Sequence, residues 1–192
     1  LAPMRKCELG VLNLNDVLQK YLNPSSPDKV EREFHGVLFR ENDKVMQIKN
    51  NYQLKWKKYN PYGDVCEEGE GVFNGDSGVI RTISALTESV TVEFEEGKIA
   101  EYEFSEMEEL ELAYAITIHK SQGSEFPIVI VVMPMKPKIM LVRNLLYTAI
   151  TRAKKQCIII NEGTALETAI KTIQAGNRRT RLKTLLEQRG MC

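Results

Sequence analysis

The sequence predicts an α/β domain into which a small antiparallel β-barrel is inserted. Residues 111–192 alternate buried-type strand segments with helix-like segments, as in a parallel sheet connected by helices. Residues 31–110 instead hold short alternating segments separated by turns, which is typical of a small barrel. Residues 1–30 contain a strand end and a helix. We therefore expect residues 1–30 and 111–192 to form one discontinuous domain, with the inserted domain at 31–110.

The first helix is predicted directly after Gly10. Apolar residues follow at approximately helical spacing, and Asn23-Pro24 ends the pattern. These apolar residues are Leu12, Leu14, Val17, Leu18, Tyr21 and Leu22.

Short strands are predicted throughout the inserted region, because apolar and polar residues alternate between turn signals. Their expected positions are 37–39, 44–48, 78–83, 89–94 and 99–104. Asn42-Asp43 and Asn74-Gly75-Asp76 are predicted as turns. The charged, Gly- and Tyr-containing stretch 55–71 indicates an exposed hairpin or a mobile loop.

The last third of the chain predicts three strands and three helices. The strands are expected at 112–118, 128–133 and 156–161, and the helices at 141–153, 164–174 and 178–189. Residues 128–133 are apolar at nearly every position, which indicates a parallel strand covered on both faces.

Composition excludes several classes of protein. The 26 basic and 26 acidic residues balance, so net charge argues neither for nor against a nucleic-acid partner. The four cysteines are far apart and form no C-x-x-C pair, which argues against a disulfide framework or a zinc site and fits a reducing cytoplasm. No apolar run reaches the length of a membrane span. The start at Leu1 rather than Met indicates an excised fragment.

A polar loop follows the strand predicted at 112–118. It offers hydrogen-bond donors at His119, Lys120, Ser121 and Gln122, and such loops at the carboxyl ends of parallel strands form ligand-binding crevices. Gly123 would let the backbone approach a ligand closely. Glu125, farther along the loop, could accept a hydrogen bond from a ribose hydroxyl. A plain connection between two core strands is the alternative.

Arg152 ends the predicted helix LLYTAITRA. An arginine suits the stabilisation of a transferring phosphoryl group, because it is always ionised and presents a planar fork. The alternative is a cation that complements the helix dipole, worth about 0.3–1 kcal/mol. Lys154 and Lys155 could serve that purpose equally, so Arg152 is not needed for it.

Aromatic residues alternate with lysines in the stretch 49–59, so this surface could stack on bases and bind phosphates. Charged hairpins are more often only solvated. No sequence spacing indicates a metal site, and no G-x-x-x-x-G-K-[ST] phosphate loop occurs, so the chain cannot complete an ATP site alone.

Six segments together resemble the RecD-like branch of superfamily 1 DNA helicases, which includes the exodeoxyribonuclease V alpha chain. They are APMRK, GVLNLNDVLQKYLNP, DKVMQIKNNY, FNGDSG, LAYAITIHKSQGSEF and NLLYTAITRAKK. The last two resemble motifs V and VI of the superfamily.

The resemblance implies a second RecA-like domain of the P-loop NTPase type, lacking its own Walker A element and carrying an SH3-like barrel. It implies ATP-driven 5′→3′ translocation on single-stranded DNA, with ATP and Mg²⁺ held mainly by a first RecA-like domain of the same polypeptide. Nuclease subunits are further implied partners, and no membrane is. The chain alone is expected to be inactive.

The resemblance also implies roles for individual residues. Arg152 would be the motif VI arginine finger, and Arg5, in motif IV, a second phosphate-binding arginine; a surface arginine is the alternative for Arg5. The implied nucleotide-binding residues are Gln122, Gly123 and Glu125. The implied DNA-binding residues are Thr117, His119, Lys120, Ser121 and Asn74.

Two other functions stay open at this point. The chain could be a DNA-binding or partner-docking module in which the nucleotide motifs are vestigial, with the barrel as its working part. It could also be the helicase-like domain of a conjugative relaxase, which shares these motifs. The sequence upstream of Leu1 would separate these possibilities.

Overall fold

The computed structural model describes residues 1–173. The helix predicted at 178–189 and the end of the helix predicted at 164–174 lie outside these residues. The described α-helices are α1 (Val11–Leu22), α2 (Arg143–Ile150) and α3 (Ala165–Lys171). Helix α2 is shorter than its prediction at both ends.

Helix α1 begins where the sequence predicted. Its N-cap is Gly10, where a β-carbon would lie only 2.6 Å from the backbone oxygen of Arg5, so this close approach requires glycine. The apolar residues that gave the helical spacing are largely not the buried ones. Leu12, Val17, Tyr21 and Leu22 are all exposed.

The buried side of α1 carries amides spaced four residues apart. Asn15 donates through Nδ2 to the backbone oxygen of Leu112 and accepts from the backbone nitrogen of Ala115, both at 2.7 Å. Gln19 donates to the backbone oxygen of Leu38 at 2.9 Å. Helix α1 is therefore held by hydrogen bonds to distant backbone as well as by apolar packing.

The inserted region contains nine strands, and all their pairings are antiparallel. In chain order they are β1 (Glu31–Phe34), β2 (Val37–Arg40), β3 (Lys44–Gln47), β4 (Asn51–Tyr59), β5 (Val65–Val72), β6 (Ser77–Ser84), β7 (Ser89–Phe94), β8 (Ile99–Glu103) and β9 (Leu110–Leu112). Strands β1 and β2 form a separate hairpin, and the other seven form one sheet in the order β5-β4-β8-β7-β6-β3-β9.

The predicted short strands are confirmed as β2, β3, β6, β7 and β8, within about two residues. The stretch 55–71 forms most of the exposed β4–β5 hairpin. We call strands β1–β9 with their connections the barrel unit.

One hydrophobic core fills the barrel unit and contains residues from each of its nine strands. Strand β7 shows why: its alternating side chains bury Val90 and Val92 completely. Tyr102 on β8 is also fully buried, and its hydroxyl donates to Oε1 of Gln47 at 2.8 Å. Burial raises the pKa of Tyr102 well above its usual range.

The strand predicted at 112–118 is wrong as a single element. Leu112 closes β9, which pairs with β3 in the barrel unit. The chain then turns, and Thr117 forms an isolated parallel bridge to Ala2 outside the named strands. The apolar run thus leaves the barrel sheet after Leu112, which a run of uniform hydropathy does not reveal. The predicted domain boundary after residue 110 falls inside β9 and stays a prediction.

A pair of parallel strands forms the sheet of the α/β part. Strands β10 (Phe126–Met133) and β11 (Ala153–Asn161) extend the two predicted strands. Leu1 lies beside β10, because its backbone oxygen accepts from the nitrogen of Val132 at 2.9 Å.

Helices α2 and α3 contribute to the core on one face of this pair. The other face is open in the described part of the chain, since four isoleucines on it are exposed: Ile128, Ile130, Ile158 and Ile160. The expected cover on both faces is therefore not found within residues 1–173.

Asp43 joins α1, the barrel unit and the segment after β9. This fully buried carboxylate accepts hydrogen bonds from the side chains of Gln19, Asn23 and Tyr114 and from the backbone nitrogen of Arg40, at 2.5–2.8 Å. Four donors offset the cost of burying the charge. Burial, together with the bond to Asp43, raises the pKa of the Tyr114 hydroxyl above its usual range.

Candidate functional site

The loop between Thr117 and Phe126 is a tight, self-bonded turn. The Oγ1 of Thr117 accepts from the backbone nitrogen of Lys120 at 3.2 Å. The backbone oxygen of Thr117 accepts from the backbone nitrogen of Ser121 at 3.1 Å. Gly123 has φ +89°, a conformation that favours glycine. An added β-carbon at Gly123 would meet nothing within 4 Å, so the glycine serves the turn itself.

The predicted DNA-binding side chains of this loop differ in accessibility. His119 is exposed, Lys120 is half-buried, and Thr117 is buried. Ser121 is fully buried, and its hydroxyl donates to the backbone oxygen of Ile118 at 2.8 Å. The Ser121 side chain therefore stabilises the turn. Its contact with DNA stays a prediction, as do those of the other three residues.

The predicted nucleotide-binding side chains lie at the solvent-facing part of the loop. Gln122 and Glu125 are both exposed. Glu125 forms an ion pair with Lys154 at 3.2 Å, in which both side chains are more than half exposed. Such a pair contributes little to stability, because water screens it. Gln122 and Glu125 are therefore accessible to a ligand, and breaking the Glu125–Lys154 ion pair would cost little free energy.

Arg152 lies in the turn between α2 and β11, against the same loop. Its guanidinium donates to the backbone oxygens of Thr148 at 3.2 Å and Ser124 at 3.1 Å, and to Oγ1 of Thr151 at 3.3 Å. Its backbone oxygen accepts from the nitrogen of Phe126 at 2.8 Å. All the partners of this guanidinium within residues 1–173 are neutral. The hydrogen bonds therefore fix the orientation of the guanidinium, and its positive charge is available to an anion.

Arg5 and Lys120 share one carboxylate. Glu111, on β9, contacts Nη2 of Arg5 through Oε1 and accepts from Nζ of Lys120 through Oε2 at 3.0 Å. The structure thus brings the predicted motif IV arginine next to a predicted DNA-binding lysine. Sequence reasoning missed Glu111, because its partners lie 106 and 9 residues away.

Asn74 lies apart from these residues, on an exposed turn of the barrel unit. Its backbone nitrogen donates to Oδ1 of Asn50 at 2.9 Å, and Gly75 next to it has φ +106°. The predicted turn is therefore confirmed, and DNA contact by Asn74 stays a prediction. The exposed rings of Tyr52 and Phe73 meet edge to face beside this turn, with centroids 5.6 Å apart.

Trp56, in the lysine-rich stretch, is only partly available for stacking. It packs against the barrel core, and the ammonium groups of Lys58 and Lys98 lie 5.7 and 5.3 Å from its ring centroid. Of the aromatic residues in this stretch, Tyr52 and Tyr59 are the exposed ones. They are the better candidates for contact with a base.

Residues 1–173 contain neither a metal-binding cluster nor a membrane-spanning helix. Within them no group of three or more His, Cys, Asp or Glu side chains could hold a metal ion. Cys7, Cys66 and Cys157 are free thiols. No helix in the described part of the chain is long and apolar enough to cross a membrane. The seat for Mg²⁺ on another domain stays a prediction.

Two protein families match successive parts of the chain. Residues 14–94 match the family described as the ATP-dependent RecD-like DNA helicase SH3 domain. Residues 112–160, which contain the loop and Arg152, match the UvrD-like helicase C-terminal domain. The first match covers most of the barrel unit, and the second covers the parallel strands with α2.

Similar proteins extend these matches to nearly the whole chain. The ATP-dependent RecD2 DNA helicase of Deinococcus radiodurans is 34% identical over 188 residues, which is 98% of this chain and 23% of that protein. The RecBCD enzyme subunit RecD of Mycobacterium tuberculosis is 34% identical over 117 residues, 60% of this chain and 20% of the subunit. The chain therefore spans about a quarter or less of these relatives.

Solved structures support the fold. The Pif1 helicase from Bacteroides in complex with ADP-AlF3 and single-stranded DNA aligns with 99% of this chain and 46% of its own, with a TM-score of 0.57 at 16% identity. A structure of two coordinating Pif1 helicases at forked DNA gives a TM-score of 0.55 at 18% identity, over 99% of this chain and 44% of its own. The predicted α/β fold with an SH3-like insertion is thereby confirmed, and the chain belongs to the RecD-like helicases of superfamily 1, of which it forms a C-terminal part.

Proposed function

We propose that this chain supplies the second RecA-like domain and the SH3-like barrel of an ATP-dependent 5′→3′ DNA helicase. The observation that carries the proposal is the position of Arg152, whose uncompensated guanidinium is held against the loop 117–125. An arginine finger needs such a fixed, permanently charged fork.

The chain's own residues would act on a nucleotide held by a first RecA-like domain. ATP bound there with Mg²⁺ would supply the phosphoryl transfer chemistry. Arg152 would stabilise charge on the transferring group, since its position is already fixed by three hydrogen bonds. Gln122 and Glu125 would reach the same nucleotide from the exposed part of the loop. Closure of the two domains can be driven only if the nucleotide binds the closed state more tightly.

DNA would lie along Thr117, His119 and Lys120, with help from the exposed turn at Asn74. The Pif1 helicase from Bacteroides, which has a similar fold, was solved in complex with single-stranded DNA. These side chains can meet phosphates, so we expect binding that is independent of base sequence and sensitive to salt. By analogy with the RecBCD subunit RecD, nuclease subunits are partners that this family could recruit.

The test is Arg152→Ala in the full-length polypeptide that carries this chain. We expect the DNA-stimulated kcat for ATP hydrolysis to fall by about 10³–10⁵, with a much smaller change in ATP affinity, because the finger acts on transition-state charge. Steady-state ATPase kinetics and nucleotide binding are measured on the same preparation.

Arg143→Ala is the matched control. This exposed arginine begins α2 and donates to the backbone oxygen of Ile170, away from the loop. The control should leave kcat within about twofold of the unsubstituted protein, as surface changes usually do. A well-folded Arg152→Ala protein with normal turnover would show that Arg152 only ends the helix and is not an arginine finger.

A further inference from the structure

Three parts of the chain meet at the carboxylate of Glu111. Arg5 comes from the segment before α1, Glu111 from the last barrel strand, and Lys120 from the loop of the α/β part. The side chains of Glu111 and Lys120 are only 22% and 24% exposed, so their pair is screened less than an open surface pair. Each carboxylate oxygen serves one cation.

We propose that Glu111 is a positioning residue that, held also by Arg5, occupies Lys120 until a DNA phosphate displaces it from that lysine. The proposal rests on the proposed function, in which Lys120 contacts the DNA strand. Glu111 would then be the internal competitor of the phosphate and would set the affinity of the loop for DNA.

The geometry explains why the exchange can occur at low cost. When a phosphate takes Lys120, the carboxylate of Glu111 keeps its contact with Arg5 and is not left as an unpaired, half-buried charge. The same exchange without Arg5 would strand that charge.

The space between Glu111 and Lys120 is narrow, whereas Arg5 and Glu111 also line a larger cavity of about 380 Å³. The cleft between Arg5, Glu111, Thr117 and Lys120 has a volume of about 10 Å³. That is about the room of one water molecule, so a phosphate can enter only if the side chains separate. This narrow space is what we expect if the carboxylate of Glu111 occupies the position that a phosphate takes on Lys120.

The experiment measures binding of the full-length polypeptide that carries this chain to a labelled oligothymidylate by fluorescence anisotropy, across a salt titration. We expect Glu111→Gln to tighten binding by about threefold to tenfold, because one or two cations are released for charge-assisted hydrogen bonds to phosphate. The slope of log K against log salt should steepen by about 0.7 for each additional phosphate that the chain neutralises.

Glu108→Gln is the matched control for charge. It makes the same change in net charge on a nearby carboxylate, which pairs with Lys49 at an exposed position. It should tighten binding clearly less than Glu111→Gln. Glu111→Asp leaves the net charge unchanged and shortens the reach to the two cations, so it should also tighten binding and covers the case in which the Gln variant does not fold.

Lys120→Ala, made alone and together with Glu111→Gln, separates the role of Glu111 from the DNA contact of Lys120. We expect its weakening effect to be larger in the presence of Glu111→Gln, where Lys120 is free. If Lys120→Ala has no effect in either background, the proposed DNA contact of Lys120 fails. If it weakens binding equally in both, and Glu111→Gln matches Glu108→Gln, the DNA contact stands and the role of Glu111 is refuted.

Discussion

The barrel unit and the parallel strand pair bury their apolar residues in different ways. In the barrel unit, β7 points Val90 and Val92 into one complete core. In the parallel pair, Val129 and Val131 on β10 are buried, while Ile128 and Ile130, which alternate with them, are about half exposed. Within residues 1–173, the valines of β7 face one core, whereas the apolar residues of β10 face both sides of their sheet and only one side is covered.

The difference follows from strand chemistry. An antiparallel strand with period-two alternation needs cover on one face only, so the barrel unit completes its core from its own residues. A parallel strand that is apolar on both sides needs a second covering layer. The exposed isoleucines of β10 and β11 therefore indicate that the α/β part depends on more polypeptide than the described residues provide.

The largest effect on stability is expected at the joint between the two regions. Asp43→Ala removes an acceptor from four donors. The half-buried Tyr114 hydroxyl loses its acceptor, and the buried amides of Gln19 and Asn23 keep only their bonds to the backbone oxygens of Leu38 and Glu41. We expect the free energy of unfolding to fall by about 3–5 kcal/mol. Urea unfolding followed by both far-UV circular dichroism and Trp56 fluorescence measures it.

The two probes make this prediction specific. Trp56 is the single tryptophan and packs against the barrel core, so its fluorescence reports on that unit. Asp43→Ala should shift both transitions, since Asp43 ties α1 to the barrel unit. The exposed Asp28→Ala is the control and should change stability by less than about 0.5 kcal/mol. A shift confined to one probe would show that Asp43 does not join the regions.

A pair of matched truncations compares the regions directly. Ile80→Ala, in the closed barrel core, should cost about 2–5 kcal/mol and move the Trp56 transition. Ile130→Ala, on the open face of β10, removes the same atoms from a half-exposed position and should cost less than about 1 kcal/mol. Equal costs would mean that the open face is covered in solution.

Smaller effects than that of Ile80→Ala are expected from two glycines with the same backbone conformation. Gly123 in the loop and Gly63 in the β4–β5 turn both have φ +89° and open space around an added β-carbon. Alanine at either position should therefore cost about 1 kcal/mol through backbone strain alone. Gly63→Ala should act on the Trp56 transition and Gly123→Ala on the circular dichroism transition. Substantially larger losses would reveal packing at that position.

Local patterns predicted most of the barrel unit and the parallel pair. Alternation and turn residues located β6, β7 and β8, and a continuous apolar run located β10. These features depend on neighbours in sequence, so the sequence reports them directly. The sequence also indicated that Arg152 lies near the loop, but only because the two segments resemble motifs V and VI, which share one site in these helicases.

Contacts between distant residues could not be predicted in the same way. The buried side of α1 is set by Asn15 and Gln19, which bond to backbone 19 to 100 residues away, and so the apolar spacing indicated the wrong side. Asp43 was correctly predicted to lie at a turn. The turn pattern did not indicate that its carboxylate is buried. The double pairing of Glu111 belongs to the same class.

The short connection after β9 has a mechanical consequence. Only residues 113–116 separate Leu112, the end of the barrel sheet, from Thr117, where the loop begins. Five residue steps reach at most about 18 Å, and the backbone of Ala113 and Ala115 and the side chain of Tyr114 are already tied down. The connection therefore has almost no slack. A movement of the barrel unit would therefore also move the loop, because the connection between them cannot lengthen.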